Sequence, residues 1–271
     1  MPELPEVETV RLFLNEVLLG RRVERVLHLD PRMVKNGRLS PDEISCRLPG
    51  HVIKSLKRRG KFLFLEWDTR EYLLLHLGMS GRLLWLPEDV PWAIHTHFVV
   101  DFGGYHLRLI DPRRFGRIGW VEKGDKLVPH LGVEPLSRKL TAHELRRRLK
   151  TRIAPIKSLL LNQSIVAGLG NIYVDESLFR AKIRPDRPGG SLTEEETKRL
   201  VRAIHAVLKQ AIEHRGTSFS DYVDALGQPG KNQDYLKIYG RNLSGCPVCA
   251  KPIVIQVIQG RTAHFCEHCQ H

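Results

Sequence analysis

Four of the five cysteines follow a spacing that suits one metal ion. Cys246 and Cys249 form a C-x2-C pair, and Cys266 and Cys269 form a second pair after sixteen intervening residues. Two such pairs supply four thiolates, which complete a tetrahedral zinc site and leave no position open for chemistry. A disulfide pairing would need an oxidising compartment, which nothing in the sequence supports. The spacing therefore predicts a structural zinc ribbon, and the remaining Cys46 is expected to be a buried apolar residue.

A glycine-punctuated turn in the second half of the chain could bind phosphate. Gly168 and Gly170 permit close backbone approach, and Asn171 then opens a predicted helix whose first N–H groups are available to an anion. Lys157 lies one predicted helix earlier and could add a positive charge. The alternative is a turn between helices that uses glycine for purely structural reasons.

Three other turns carry large side chains between glycines. Met79 and Phe115 lie in such turns, and Arg113 stands beside Phe115. Apolar wedges next to arginine can enter a base stack and part it, although most Met and Phe residues belong to a core. Arg261 follows Gln259-Gly260 at a predicted hairpin tip, where it is either an outward-directed functional residue or solvated surface.

The charge balance indicates a polyanionic partner. Lys and Arg number 43 against 30 Asp and Glu, which gives a net charge of +13. Such a surplus most often indicates nucleic acid, although a basic protein without such a partner, or one that binds acidic lipid, would share it. No apolar run is long enough for a bilayer span, and the N-terminus lacks the apolar core of a signal peptide. The sequence therefore indicates a soluble intracellular protein.

The elements that position these residues change period along the chain. Pro5 and the acidic residues around it precede an apolar stripe that stops at Gly20, which predicts an N-terminal helix. From about residue 22 to 121 the pattern changes to a period of two or to short apolar runs, and short connections favour an antiparallel sandwich. The predicted strands are Phe62–Trp67, Tyr72–Leu77, Leu83–Leu86, His97–Phe102, His106–Ile110 and Arg117–Val121.

The rest of the chain returns to a helical period. Thr141-x-x-Glu144 and Thr193-x-x-Glu196 are capping boxes, and the second opens a long helix. Shorter helices are expected over Ile153–Leu161 and through Asp175–Phe179. The segment Gly216–Lys231 is rich in Gly, Ser and Asp and is expected to be a mobile loop.

Five segments together resemble bacterial formamidopyrimidine-DNA glycosylase, in the right order and over the whole chain. Besides the four-cysteine ribbon, they are Met1–Thr9, His76–Gly81, Asp111–Gly116 and Gly168–Tyr173. The family fold is an N-terminal β-sandwich and a helix–two-turns–helix domain with a zinc finger, which agrees with the periodicity. The expected fold class is therefore α+β: an N-terminal helix plus antiparallel β-sandwich, then a helical domain with the zinc ribbon. The expected domains are 1–135, 136–240 and 241–271.

The resemblance implies a bifunctional enzyme that removes oxidised purines, such as 8-oxoguanine and formamidopyrimidines, and then nicks the abasic strand by β,δ-elimination. Pro2, freed by removal of Met1, would supply the amine that attacks C1′. An α-amino group suits this role because its reference pKa is about 7.7–8.0, against about 10.4 for lysine. Glu3 matches the family's acid/base. Lys61 matches the lysine that helps the base leave, and Arg261 matches the finger residue linked to δ-elimination.

The partner implied by the resemblance is damaged double-stranded DNA. Chemistry at a stacked base requires extrusion of the nucleotide, and Met79, Arg113 and Phe115 match the triad that fills the void. Residues 217–237 match the segment that covers the flipped base. The residues expected to contact phosphate are His95, Arg113, Arg152, Lys157 and Asn171.

Two other functions remain open at this point. Endonuclease VIII, the sister branch that acts on oxidised pyrimidines, shares Pro-Glu at the start but typically continues with Gly rather than Leu4-Pro5. A non-catalytic zinc-ribbon protein would explain the charge and the cysteines but not Pro2-Glu3. The resemblance further implies a monomer in the bacterial cytoplasm, associated with the nucleoid and not with a membrane.

Overall fold

The chain divides into two compact units. The first unit comprises Met1–Pro129 with His214–Gln233, and the second comprises His130–Glu213 with Asp234–His271. The predicted boundaries at 135 and 240 group the chain differently, because they assign 214–233 to the helical part. The computed structural model describes residues 1–35, 38–122, 128–241 and 244–271.

The first unit opens with helix α1, Leu4–Leu18, as predicted. Its N-cap is Glu3, whose N–H donates to Glu6 Oε2 at 2.8 Å as part of a capping box. Proline suits the first turn of a helix, because the N–H group that it lacks would have no acceptor within the helix there. The residues that α1 buries on its apolar face include Leu4, Val7, Val10, Leu14 and Leu18.

Two four-stranded antiparallel sheets form the rest of the first unit, in the orders β1-β6-β7-β5 and β2-β3-β4-β8. Alternate side chains of both sheets enter one core with α1, which confirms the predicted antiparallel sandwich. The strands are β1 Arg25–Leu29, β2 Ile53–Arg59, β3 Phe62–Trp67, β4 Tyr72–His76, β5 Arg82–Pro87, β6 Thr96–Asp101, β7 Tyr105–Ile110 and β8 Arg117–Val121.

Two strands and one helix of this unit were not predicted. Strand β2 carries the basic sequence IKSLKRR and fully buries only Ile53 and Leu56, so its apolar signal is weak. Helix α2, Pro41–Arg47, starts with a capping box between Ser40 and Glu43. The expectation that Cys46 is buried was wrong, because Ile44 supplies the buried face of this short helix and Cys46 is exposed.

The second unit holds four helices and a hairpin among its described residues. One predicted helix begins three residues late, at Ile156 rather than Ile153, because Pro155 is its N-cap and restricts the residue before it. Thr141 caps the first helix by accepting from the Glu144 N–H at 3.1 Å. The elements are α3 Ala142–Leu149, α4 Ile156–Leu161, α5 Asn171–Ala181, α6 Glu194–Glu213, β9 Val254–Ile258 and β10 Arg261–Phe265.

Across the four described ranges, every helix is too short or too polar to cross a membrane.

Candidate active site and nucleic-acid interface

The N-terminal residues and Lys61 are carried by packed elements of the first unit. Pro2 and Glu3 are buried at the start of α1, and α1 packs against β2 and β3. Lys61 follows Gly60 in the tight turn between those two strands and is also largely buried. The start of the helix and the hairpin therefore carry three of the four residues that the sequence marks for catalysis, and the helix packs against the hairpin strands.

An ion pair ties the helix to that turn. Arg58 Nε donates to Glu8 Oε2 at 2.7 Å, and Arg58 Nη1 donates to the Gly60 carbonyl at 3.0 Å. Burial by itself would raise the pKa of Glu8, but the guanidinium groups of Arg11 and Arg58 outweigh it and lower the pKa. Glu8 therefore stays a carboxylate and holds Arg58 where it fixes the backbone just before Lys61.

His76 at the end of β4 lies close to Lys61. Its Nδ1 accepts the Gly78 N–H at 3.0 Å, and its ring lies 4.6 Å from the ring of Phe62. Burial lowers the pKa of His76 to about 4, and the charges of Lys61 and Arg117 act in the same direction. The imidazole is neutral at neutral pH, so it adds no positive charge beside Lys61.

Asp111 joins the two turns that carry the predicted void-filling residues. Its fully buried carboxylate accepts from Ser80 Oγ at 2.6 Å and from the Gly116 N–H at 2.7 Å. A Cβ on Gly78 would lie 2.5 Å from the Phe115 carbonyl carbon, so only glycine allows this approach. Sequence reasoning assigned Asp111 no role, although its place at the start of Asp-Pro-Arg-Arg-Phe-Gly could have indicated one.

Met79 and Phe115 are surface residues and not core residues. Met79 is 37% exposed and Phe115 is 48% exposed, which excludes the core alternative for both. The guanidinium carbon of Arg113 lies 4.8 Å from the centre of the Phe115 ring. The two loops therefore present a thioether, a ring and a stacked guanidinium group to solvent.

His95 belongs to the same group of loops. Its carbonyl accepts the Asp111 N–H at 3.0 Å, and its own backbone is left-handed, with φ of 68°. The side chain is exposed. His95, Met79, Arg113 and Phe115 thus lie on three loops that are joined at Asp111.

The segment expected to be a mobile loop is bonded to the rest of the first unit. Glu6 Oε1 accepts the Thr217 N–H at 2.8 Å, and the Trp85 N–H donates to the Ala225 carbonyl at 2.9 Å. Glu6 lies in the first turn of α1 and forms the capping box with Glu3. The segment is therefore anchored beside the N-terminal residues.

In the second unit, one of the predicted phosphate contacts is not at the surface. Lys157 has no exposed surface, and its ammonium group bonds to Asp175 and to the Thr262 carbonyl. We correct the expectation that it contacts phosphate, because a group enclosed in this way does not reach solvent. Arg152 is exposed, and Asn171 is partly exposed at the start of α5.

The four ribbon cysteines cluster with a geometry that fits zinc. Cys246 Sγ lies 3.9 Å from Cys269 Sγ, and Cys249 Sγ lies 3.5 Å from Cys266 Sγ. A tetrahedral ion with Zn–S bonds of about 2.3 Å requires sulfurs about 3.8 Å apart. Arg261 opens β10 directly after the tight Gln259-Gly260 turn and is exposed.

Family models and curated relatives match this chain closely. The N-terminal domain of formamidopyrimidine-DNA glycosylase matches residues 1–118, and the H2TH domain of the same enzyme matches residues 131–223. The formamidopyrimidine-DNA glycosylase of Carboxydothermus hydrogenoformans is 42% identical over 270 residues, which cover both chains completely. The chain belongs to the formamidopyrimidine-DNA glycosylase family.

Solved structures of this glycosylase family agree with the fold. The crystal structure of the MutM (Fpg) protein from Thermus thermophilus matches with a TM-score of 0.88 and 41% identity, over 99% of this chain and 98% of that one. A Lactococcus lactis Fpg complex with Fapy-dG-containing DNA matches with a TM-score of 0.92 and 35% identity over both full chains. Another Lactococcus lactis Fpg complex, with DNA that contains an oxidised pyrimidine, has a TM-score of 0.91, again at 35% identity over both full chains.

Proposed function

We propose that this protein excises oxidised purines from duplex DNA in base-excision repair and cleaves the resulting abasic site through an imine on Pro2. The observation that carries the proposal is that the buried Pro2-Glu3 segment leads directly into α1, and α1 packs against the two strands of the hairpin that carries Lys61. Membership of the formamidopyrimidine-DNA glycosylase family supports both activities.

The chemistry requires four residues with different tasks. The secondary amine of Pro2 attacks C1′, and the damaged base leaves with the electrons of the glycosidic bond and a proton. Glu3 delivers a proton to the ring oxygen as the deoxyribose opens to the iminium. Loss of a C2′ proton expels the 3′-phosphate, and loss of a C4′ proton then expels the 5′-phosphate. Water hydrolyses the iminium and releases the Pro2 amine. Lys61 assists base departure and the first elimination, and Arg261 assists the second.

The exposed loops of the first unit serve DNA distortion and positioning in this proposal. Met79 and Phe115 enter the base stack once the damaged nucleotide has been extruded from it, and Arg113 fills the void beside them. Phosphate contacts come from His95 and Arg113 on these loops and from Arg152 and Asn171 of the second unit. Residues 217–237 cover the extruded base in this proposal, and the hydrogen bond from the Thr217 N–H to Glu6, in the first turn of α1, supports it.

One zinc ion belongs to the proposed holoenzyme. Cys246, Cys249, Cys266 and Cys269 would hold it, since their sulfur separations suit tetrahedral coordination. The ion would supply folding energy to the ribbon and no chemistry, because four thiolates leave no open position.

The free amine is tested with a removable N-terminal tag. A tag that stays attached converts the Pro2 nitrogen to an amide without nucleophilicity, so borohydride trapping on abasic-site DNA should vanish while DNA binding persists. Removal of the tag to expose Pro2 should restore trapping, and this restored protein is the matched control. Full trapping by the tagged protein would show that another amine forms the imine.

Lesion preference is tested by comparing excision of 8-oxoguanine opposite cytosine with excision of thymine glycol. We expect faster excision of the purine. The Lactococcus lactis complex with an oxidised pyrimidine makes this comparison necessary. Faster excision of thymine glycol would favour an endonuclease VIII-like preference with the same catalytic residues.

A further inference from the structure

Strand β10 leaves one edge without a neighbouring strand in the described part of the chain. It pairs with β9 alone, in the antiparallel register Arg261↔Ile258. Backbone groups of alternate residues point to the same edge of a strand. The N–H and C=O groups of Thr262 and His264 therefore share one edge of β10, and this is the edge that faces away from β9. An unpaired buried edge is costly, because each N–H and C=O then lacks a partner.

Side chains of α4 and α5 occupy that open edge. The Thr262 carbonyl accepts from Lys157 Nζ at 2.8 Å and from Asn171 Nδ2 at 2.9 Å. The His264 N–H donates to Asp175 Oδ2 at 3.0 Å. Three side chains thus make the bonds that a third strand would otherwise make.

The arrangement is buried and internally paired. Lys157 and Asp175 have no exposed side-chain surface and bond directly to each other. Charges so enclosed are stable only with a partner and further hydrogen bonds, which the Thr262 carbonyl and the His264 N–H provide. The neighbouring Glu176 is a second anchor, since its Oε1 accepts the Ile238 N–H at 2.8 Å on the approach to the ribbon.

We propose that Lys157, Asn171 and Asp175 are positioning residues for Arg261. They hold β10 at Thr262, one residue beyond Arg261, and so fix the backbone from which the Arg261 side chain extends. A zinc ion on Cys266 would fix the other end of the strand. An amide nitrogen carries two hydrogens, so Asn171 can hold Thr262 and still donate to a phosphate. The functional part of this inference rests on the proposed role of Arg261 in the second elimination.

The test uses the full-length, zinc-loaded protein and four variants. Lys157→Met removes the ammonium group. Lys157→Met with Asp175→Leu replaces the whole buried pair with apolar side chains, which proteins tolerate better than the loss of one partner. Arg261→Ala gives the result of losing the finger arginine. Lys209→Met, at an exposed position on α6, is the matched control. Zinc content and melting temperature identify the folded preparations.

The first readout does not depend on activity. Hydrogen exchange at the His264 amide should become at least about tenfold faster in the double variant, because its acceptor has been removed. The Lys209→Met protein should match the wild type. Unchanged exchange in the double variant would overturn the docking of β10 by these side chains.

The second readout is the ratio of δ- to β-elimination products on a preformed abasic site. Lys157→Met and the double variant should lower this ratio at least about fivefold, towards that of Arg261→Ala, while borohydride trapping stays within about twofold. A wild-type ratio in the zinc-loaded double variant would overturn the positioning role. A wild-type protein that is not trapped at all would instead refute the proposed function, and the exchange result would still decide the docking.

Discussion

Phe115 and Arg113 form a stacked pair at the tip of the β7–β8 loop, and their support lies below the surface. The Asp111 carboxylate accepts the N–H of Arg113 itself at 3.3 Å and the N–H of Gly116, the residue after Phe115, at 2.7 Å. A half-exposed ring on a loop fixed in this way can be removed with little loss of packing. Its contribution should therefore appear in the reaction and not in stability.

Phe115→Ala should slow excision from intact duplex by at least about tenfold, because unstacking a base costs a few kcal/mol that the ring helps to offset. Cleavage of a preformed abasic site should change less, since little stacking opposes its extrusion. Excision kinetics beside thermal melting provide the measurement. Leu12→Ala, which shortens an exposed apolar side chain on α1, is the control.

Excision kinetics and thermal melting can also contradict the proposed role of Phe115 as a wedge. A buried phenylalanine would cost about 3–5 kcal/mol on truncation to alanine. A large fall in melting temperature, with equal losses on every substrate, would show that Phe115 acts through stability and refute its role as a wedge.

At the scale of elements, the ribbon hairpin and the sandwich obtain their stability in different ways. The sandwich has a shared apolar core drawn from both sheets and α1. The hairpin buries only a small cluster, which includes Ile258, Ala263 and Phe265. A small ribbon of this kind depends on its metal for folding.

Removal of zinc, or Cys249→Ser, should therefore unfold the ribbon and displace Arg261, with a fall in DNA affinity of at least about tenfold. The first unit should stay folded. Tryptophan fluorescence reports on this unit alone, because every tryptophan of the chain belongs to it: Trp67, Trp85, Trp92 and Trp120.

Cys46→Ser is the matched control for this experiment, since Cys46 is exposed on α2 and lies outside the cysteine cluster. It should bind DNA like the wild type and retain its zinc. Full affinity in a metal-free protein would show that the ribbon contributes nothing to DNA binding.

At the scale of the whole molecule, the net charge of +13 favours DNA binding before any specific contact forms. The sum of charges does not show which cations contact phosphate, because burial removes some of them. Lys157 counts towards the surplus but has no exposed surface, whereas Arg152 is exposed. Salt dependence distinguishes a contacting cation from a distant one.

Arg152→Ala should weaken binding to all duplexes and reduce the slope of log K against log salt by about 0.9, the value for one lost phosphate contact. Binding titrations at several salt concentrations measure this slope. Arg202→Ala removes the same charge from an exposed position on α6 and should leave the slope nearly unchanged. Equal changes in both variants would show that Arg152 acts only through net charge.

The sequence by itself determined the features whose signal is local. The C-x2-C spacing predicted the cysteine cluster, and the 3.6-residue stripe with its acidic start predicted α1. The period-two runs predicted six of the eight described strands of the first unit. These predictions succeeded because their physical causes, ligand spacing and side-chain periodicity, act over a few residues.

Only the tertiary structure decided which polar residues are enclosed. The partners of Lys157 are Asp175, 18 residues away, and the Thr262 carbonyl, 105 residues away, so no local pattern marks it as buried. Asp111 likewise acts on Ser80, 31 residues earlier in the chain. The environment of a charge depends on groups that folding brings together, and Lys157 is bonded to these distant partners and enclosed by the fold.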